Sequence, residues 1–174
     1  MTLANTNTNT NRTAISIDME AEVTIDAPPE QVWRSLTDGI GEWWPHSFAD
    51  ATARIVLEPR IGGRFFECFD TDGVDADGAG ALYALVTYIE PNRTLRISGS
   101  MGMWGARQYV KTYRLEPTDR GTVVRTTASM LGDIPDDMLE SYRSGGEAVL
   151  RALRDHVERT STTEAGTTPR GTRP

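Results

Sequence analysis

PDDMLESYRSGGEAVLRALRDHVER, residues Pro135 to Arg159, is the stretch around which the rest of the chain is organised. Met138, Tyr142, Gly146, Val149, Leu153 and Val157 follow one another at steps of three or four, the period that lines one face of a helix. Pro135 suits a first helical turn. Asp136, Asp137 and Glu140 put negative charge near the positive end of the helix dipole, and Arg151, Arg154 and Arg159 put positive charge towards the other end. Gly145 and Gly146 interrupt the pattern. Each costs about 1 kcal/mol against alanine in a helix interior, so the pair predicts a close backbone approach, a kink, or deliberately empty space beneath. The apolar stripe needs a cover, and the upstream sequence reads as a sheet able to provide it.

That sheet opens with the clearest strand in the chain. Ile17, Met19, Ala21, Val23 and Ile25 alternate with Asp18, Glu20, Glu22, Thr24 and Asp26, the period of a strand with one wet face. Ala27-Pro28-Pro29-Glu30 ends it and opens a short helix carrying Val32, Trp33 and Leu36 inward, followed by a second short helical turn from Ile40 to Trp44. Six more strands are predicted over Arg54–Leu57, Arg64–Phe69, Ala79–Ile89, Thr94–Gly99, Arg107–Glu116 and Thr122–Met130, separated by turn-rich links. Short links of this kind favour antiparallel neighbours. The fold expected is α+β: a seven-stranded antiparallel sheet curved around the long C-terminal helix, with two short helices closing one end.

Composition bounds the rest. A chain of 174 residues accommodates one domain with a real core, read over 15–159, between a polar Asn/Thr-rich stretch (1–14) and a Thr/Gly/Pro-rich stretch (160–174) that are both expected to be disordered. The formal charge of -7 and the pI near 4.9 argue against a nucleic-acid partner, because phosphate binding draws on clustered Lys and Arg. Cys68 is the sole cysteine, which leaves no intrachain disulfide or cysteine-based metal site and fits a reducing cytoplasm. No run is long enough for a membrane span, and the N-terminal residues lack the features of a signal peptide. No phosphate loop, Ser/His/Asp grouping or His-rich motif calls for a cofactor or a metal. The alternating aspartates of Asp70–Gly78 invite a calcium reading, but the loop lacks a terminal glutamate and flanking helices, so a solvated hairpin loop is expected.

Strand, two short helices, six strands and a terminal helix is the order of the helix-grip fold, and several segments carry a family likeness. These are APPEQVW (Ala27–Trp33), EWWP (Glu42–Pro45), EPRIGGRFFE (Glu58–Glu67), YIEPNRTL (Tyr88–Leu95) and RGTVV (Arg120–Val124). In their order and spacing the chain resembles the START/polyketide-cyclase (SRPBCC) superfamily, and within it the bacterial proteins related to the activator of the heat-shock chaperone ATPase. The resemblance implies a deep cavity between helix and sheet for a small apolar or aromatic molecule. It does not imply one reaction, since relatives include carriers, cyclases and co-chaperones.

Candidate site residues follow from chemistry and strand parity. Met101, Met103 and Trp104 sit among glycines in the loop Ser100–Gly105, either folding over a cavity mouth or capping the core edge. Trp43 and Trp44 end the second short helical turn, as ligand contacts or as core. Tyr83, Tyr88, Met130, Met138 and Tyr142 are read as lining the cavity, with ordinary core packing as the alternative. Tyr109, Lys111, Tyr113 and Leu115 share one face of their strand, and Leu115 suggests the inner one. An inward Lys111 either orients an anionic or phenolic ligand or escapes through a bulge or by snorkelling.

Two further residues are acid–base candidates. His46 is a general acid or base if a partner exists, and otherwise an exposed loop histidine. Glu67 depends on parity: if Phe65, Glu67 and Phe69 face in, it is a carboxylate in an apolar cavity with a raised pKa, and if Phe66 and Cys68 face in, it is merely wet. The expected function is binding of a small hydrophobic or aromatic ligand, with cyclase/dehydrase-like chemistry as an extension. The rival is a chaperone-linked or regulatory protein-interaction module with an exposed apolar patch. A homodimer is left open.

Overall fold

The computed structural model of the chain describes residues 14–49, 53–69, 79–132, 134 and 139–165. β1 (Ile15–Ile25) is followed by α1 (Pro29–Leu36) and a 3₁₀ turn (Ile40–Glu42). Then come β2 (Arg54–Leu57), β3 (Arg64–Cys68), β4 (Gly80–Glu90), β5 (Thr94–Gly99), β6 (Arg107–Thr118), β7 (Gly121–Gly132) and α2 (Leu139–Ala165). The seven strands form one antiparallel sheet in the order β1-β7-β6-β5-β4-β3-β2. Consecutive strands from β2 to β7 are neighbours, as short links require, and β1 returns to close the sheet against β7.

β1 pairs with β7 without a break, Val23 opposite Val124 and Ile17 opposite Met130, so their apolar alternations face the same side. The wet side carries ions: Arg125 bonds Glu22 across the pair and meets Glu116 on β6. α1 starts at Pro29 after an extended Pro28, and its Val32 and Leu36, one turn apart, are fully buried. Trp43 packs into the core, donating its Nε1–H to the Ser35 carbonyl at 2.7 Å, which fastens the 3₁₀ turn to α1.

α2 lies across the sheet with Val149, Leu150, Leu153 and Val157 buried in one core cluster with Ile25, Val32, Leu36 and Leu95. A smaller cluster of Ile17, Met130 and Ile134, with Met19, Met103, Tyr109 and Tyr142 against it, occupies the other end.

Two helix boundaries differ from the sequence reading. The second short helix is only a three-residue 3₁₀ turn. α2 runs six residues past Arg159 to Ala165, because Thr160, Ser161 and Thr162 bond back to carbonyls one turn earlier and Ser161 Oγ accepts a bond from Gln31 Nε2 at 2.7 Å. An apolar period cannot reveal a polar turn held in this way. The expected helix start at Pro135 and the residue Met138 lie outside the described residues, as do the loop 70–78 and the stretches 1–13 and 166–174. No helix among the described residues is long and apolar enough to cross a membrane.

Candidate functional site

Between α2 and the sheet lies a cavity of about 380 Å³, open at one end. α2 contributes Ser141, Tyr142, Gly145, Gly146 and Val149. β1 gives Met19, Glu20 and Ala21; β7 gives Thr126, Ala128 and Met130; β6 gives Tyr109 and Lys111; and β4 gives Tyr83. The segment Trp44 to Phe48 and the loop bearing Met101 and Met103 complete the lining. The helix glycines account for the space: a methyl group built on either Gly145 or Gly146 meets nothing within 4 Å. Of the three meanings offered by the sequence, this excludes a close backbone approach and shows open space at the pair.

Two irregular strands shape the wall. β3 and β4 shift register between Phe65 and Phe66, so that Phe65 pairs with Ala84, Phe66 with Leu82, and Tyr83 is left unpaired and turned inward. Its ring stands 4.9 Å from that of Phe65 and 6.4 Å from that of Trp44. The Tyr83 carbonyl accepts the Met101 N–H at 2.7 Å, which ties the loop after β5 to this wall. Gly102 is required there. Its φ is +70°, and a Cβ would lie 2.6 Å from the Phe48 ring.

Glu67 faces inward and is fully buried. It accepts bonds from the Ser47 hydroxyl, the Tyr83 phenol at 2.6 Å, and the backbone N–H groups of Phe48 at 2.9 Å and Ala49 at 3.3 Å. Burial by itself raises a carboxyl pKa, but these four donors outweigh it and hold Glu67 below the ordinary value. The expectation of a raised pKa is therefore corrected: apolar surroundings were anticipated, and the donors reached from Ser47–Ala49 were not. The carboxylate pins the segment 47–49 to the sheet and also pushes the Tyr83 phenol upward, burial being the larger cause there.

β6 keeps unbroken register with β5 and β7, so no bulge turns Lys111 away. It is 3% exposed, and its Nζ lies 4.8 Å from the centre of the Tyr113 ring. Burial lowers its pKa to about 8. His46 lines the mouth edge-on to Trp44, with ring centres 5.9 Å apart, and burial followed by the nearby Lys111 charge lowers its pKa. Tyr109 lies opposite Met130, and burial raises its phenol. Tyr142 accepts a bond from Arg107 at 3.0 Å and donates to the Met103 sulfur at 2.9 Å.

The structure thus brings Trp44, His46, Tyr83, Met101, Met103, Tyr109, Lys111, Met130 and Tyr142 together around one space, with Glu67 supporting its rim. It does not bring in Trp43, which is core, nor Trp104, which is 92% exposed. Tyr88 is also outside. It follows a second register shift in β4, and its ring meets the Arg96 guanidinium on the exposed side, 5.8 Å away. Met19, Glu20, Ala21, Ser47, Phe48, Thr126, Ala128 and Ser141 were not singled out from the sequence. The alternation of β1 and the position of Gly146 on the helix were the signals that pointed towards Met19 and Ala21.

A family model described as "Polyketide cyclase / dehydrase and lipid transport" matches residues 16–158, and the chain belongs to that family. No curated protein matches it. Among solved structures, it is similar to a protein of unknown function from Staphylococcus aureus, with 16% identity, TM-score 0.63, and coverage of 86% of this chain and 98% of that one. It is similar to the Mll3558 protein from Rhizobium loti, with 20% identity, TM-score 0.65, and coverage of 83% and 99%. The solution structure of the Aha1 dimer from Colwellia psychrerythraea is a third, with 23% identity, TM-score 0.57, and coverage of 82% and 96%. At these identities the likeness establishes the helix-grip fold.

Proposed function

As a reading of this family member, we propose that the chain binds a small hydrophobic or aromatic molecule in the cavity between α2 and the sheet. The observation that carries this is the pair Gly145 and Gly146. A well-packed core fills such a gap, since interior voids forfeit dispersion contacts and cost stability; here two glycines keep it open under an otherwise well-buried helix stripe. The cavity falls at the lower end of the ~300–1,000 Å³ typical of ligand pockets, and its walls are mostly methionine, aromatic and alanine side chains with a few polar groups.

Any turnover on such a ligand falls to groups that are free to exchange protons. His46, held on the neutral side, fits an acid–base role better than Glu67, whose oxygens are occupied by four donors. Native mass spectrometry of the purified chain, compared with its denatured mass, tests the reading. A retained small molecule supports it, whereas a clean apo mass that persists after incubation with aromatic and aliphatic compounds counts against it.

A homodimer or chaperone-linked module is the second reading. It is favoured by Trp104, Leu82, Leu85 and Tyr88, which stand exposed outside the cavity. Light scattering decides the dimer: a particle of twice the 19.2 kDa chain mass supports it, and a monomer at high concentration removes it.

A further inference from the structure

Lys111 stands in the wall of the cavity without a counter-charge. Among the described residues its ammonium has no ion pair and no hydrogen bond; what it has is the face of the Tyr113 ring. A buried charge in that position is costly unless something compensates it. The other titratable groups of the lining do not. Burial keeps the Tyr83 and Tyr109 phenols neutral, the Tyr142 hydroxyl is engaged with Met103 and Arg107, and His46 is a base. Among the described residues Glu20 is the one carboxylate of the lining, but it is exposed and makes no ion pair with Lys111.

A second donor lacks an acceptor as well. Trp44 also lines the cavity, and its Nε1–H is buried with no hydrogen-bond partner. Among the described residues, the lining therefore holds one unmatched positive charge. Among the described residues the lining offers Lys111 no anionic acceptor.

We propose that Lys111 is the anchor of an anionic subsite and that the molecule held in this cavity is a small apolar acid, its single carboxylate paired with the Lys111 ammonium. The inference rests on reading the cavity as a ligand site. A single ammonium matches a single carboxylate. A phosphate group draws on more cationic donors, and among the described residues Lys111 is the only lysine or arginine in the lining. With a pKa near 8, Lys111 is mostly protonated at neutral pH, so the anchor is charged when the ligand arrives.

The test titrates the full chain at neutral pH with decanoate, phenylbutanoate and naphthylacetate, and with the primary carboxamide of each, following tryptophan fluorescence. At least one acid binds about tenfold or more tightly than its carboxamide, the margin of a charge-assisted bond over a neutral one. In Lys111→Met, which keeps the length of the side chain and removes its charge, that ratio falls to near one while carboxamide binding persists. The same loss in Lys111→Gln separates the missing charge from altered packing. Equal binding of acid and carboxamide by the wild type, or a preference that survives both substitutions, overturns the anchor and leaves the cavity reading standing. Failure of all six compounds to bind the wild type overturns the cavity reading and the anchor with it.

Discussion

The two ends of α2 face the same sheet and do opposite things. Towards its C-terminal half, Leu150, Leu153 and Val157 meet Ile25, Val32 and Leu36 from β1 and α1, and all six are at or near complete burial. Towards its N-terminal half, Gly145 and Gly146 face Met19, Ala128 and Met130 across open space. Helix and sheet are shared, so side-chain volume along the helix accounts for part of the difference, and the irregular β3–β4 wall with its attached loop accounts for the rest. What it teaches is that this cavity combines small residues on the helix with a local irregularity of the facing strands. The packed end provides the stability that the hollow end gives up.

The comparison breaks most visibly at the packed end. Leu153→Ala removes a fully buried side chain from a filled site, and the expected loss is about 2–5 kcal/mol in a denaturant titration. A loss below about 0.5 kcal/mol, within what an isolated surface change produces, would mean that this end is not the stabilising one. Below its lowered melting temperature the variant keeps its ligand affinity, because the cavity is a turn or more away.

Glu67 is the next largest effect and belongs to the mouth. Glu67→Gln leaves the Ser47, Tyr83, Phe48 and Ala49 donors facing a weaker acceptor, and a cost of about 1–3 kcal/mol is expected. The wild-type pH dependence has a definite sign. Since the folded pKa lies below the unfolded one, the stabilisation is complete above the ordinary glutamate range, near ~4.3, and disappears as pH falls through the lower folded value. Thermal melts of the two proteins are expected to differ by a constant amount at neutral pH and to converge in acid; a difference that grows in acid has the wrong sign.

How much of this was legible in the sequence depends on how regular each element is. β1 could be read almost to the residue because its alternation is strict and its pairing with β7 is unbroken. β3 could not be, because both of its faces are covered: Phe65 lies in the core, and Phe66 on the other side lies under the Arg64 guanidinium, 4.8 Å from its ring. In β4 an odd separation of five already places Tyr83 and Tyr88 on opposite faces of a regular strand, and two register shifts leave that outcome in place. Both could not have lined one cavity. Trp104 shows the limit of composition, since a loop of Met, Trp and Gly announces apolar chemistry but not which side chain turns inward. Lys111 was legible by parity, and what the sequence withheld was the absence of a partner, which depends on every element packed around it. Besides the Tyr83 phenol, the donors that lower Glu67 come from Ser47 to Ala49, some twenty residues away and without a motif.

The smallest expected effect sharpens the contrast by running the other way. Gly146→Ala adds a methyl group where nothing lies within 4 Å and removes a poor helix former, so a gain of up to about 1 kcal/mol is expected. Such a gain follows from helix propensity and from the room at this position, and a loss would show that the helix and sheet are packed closely there.

The most direct test fills that space. Ligand titration of the wild type and Gly146→Leu side by side, followed by tryptophan fluorescence with the carboxylate panel, asks whether the hollow end is the binding site. The expected result is saturable binding by the wild type and none by a folded Gly146→Leu whose thermal stability is equal or higher. Equal affinity in the two proteins would contradict the account, because the molecule would then be bound somewhere other than beneath α2.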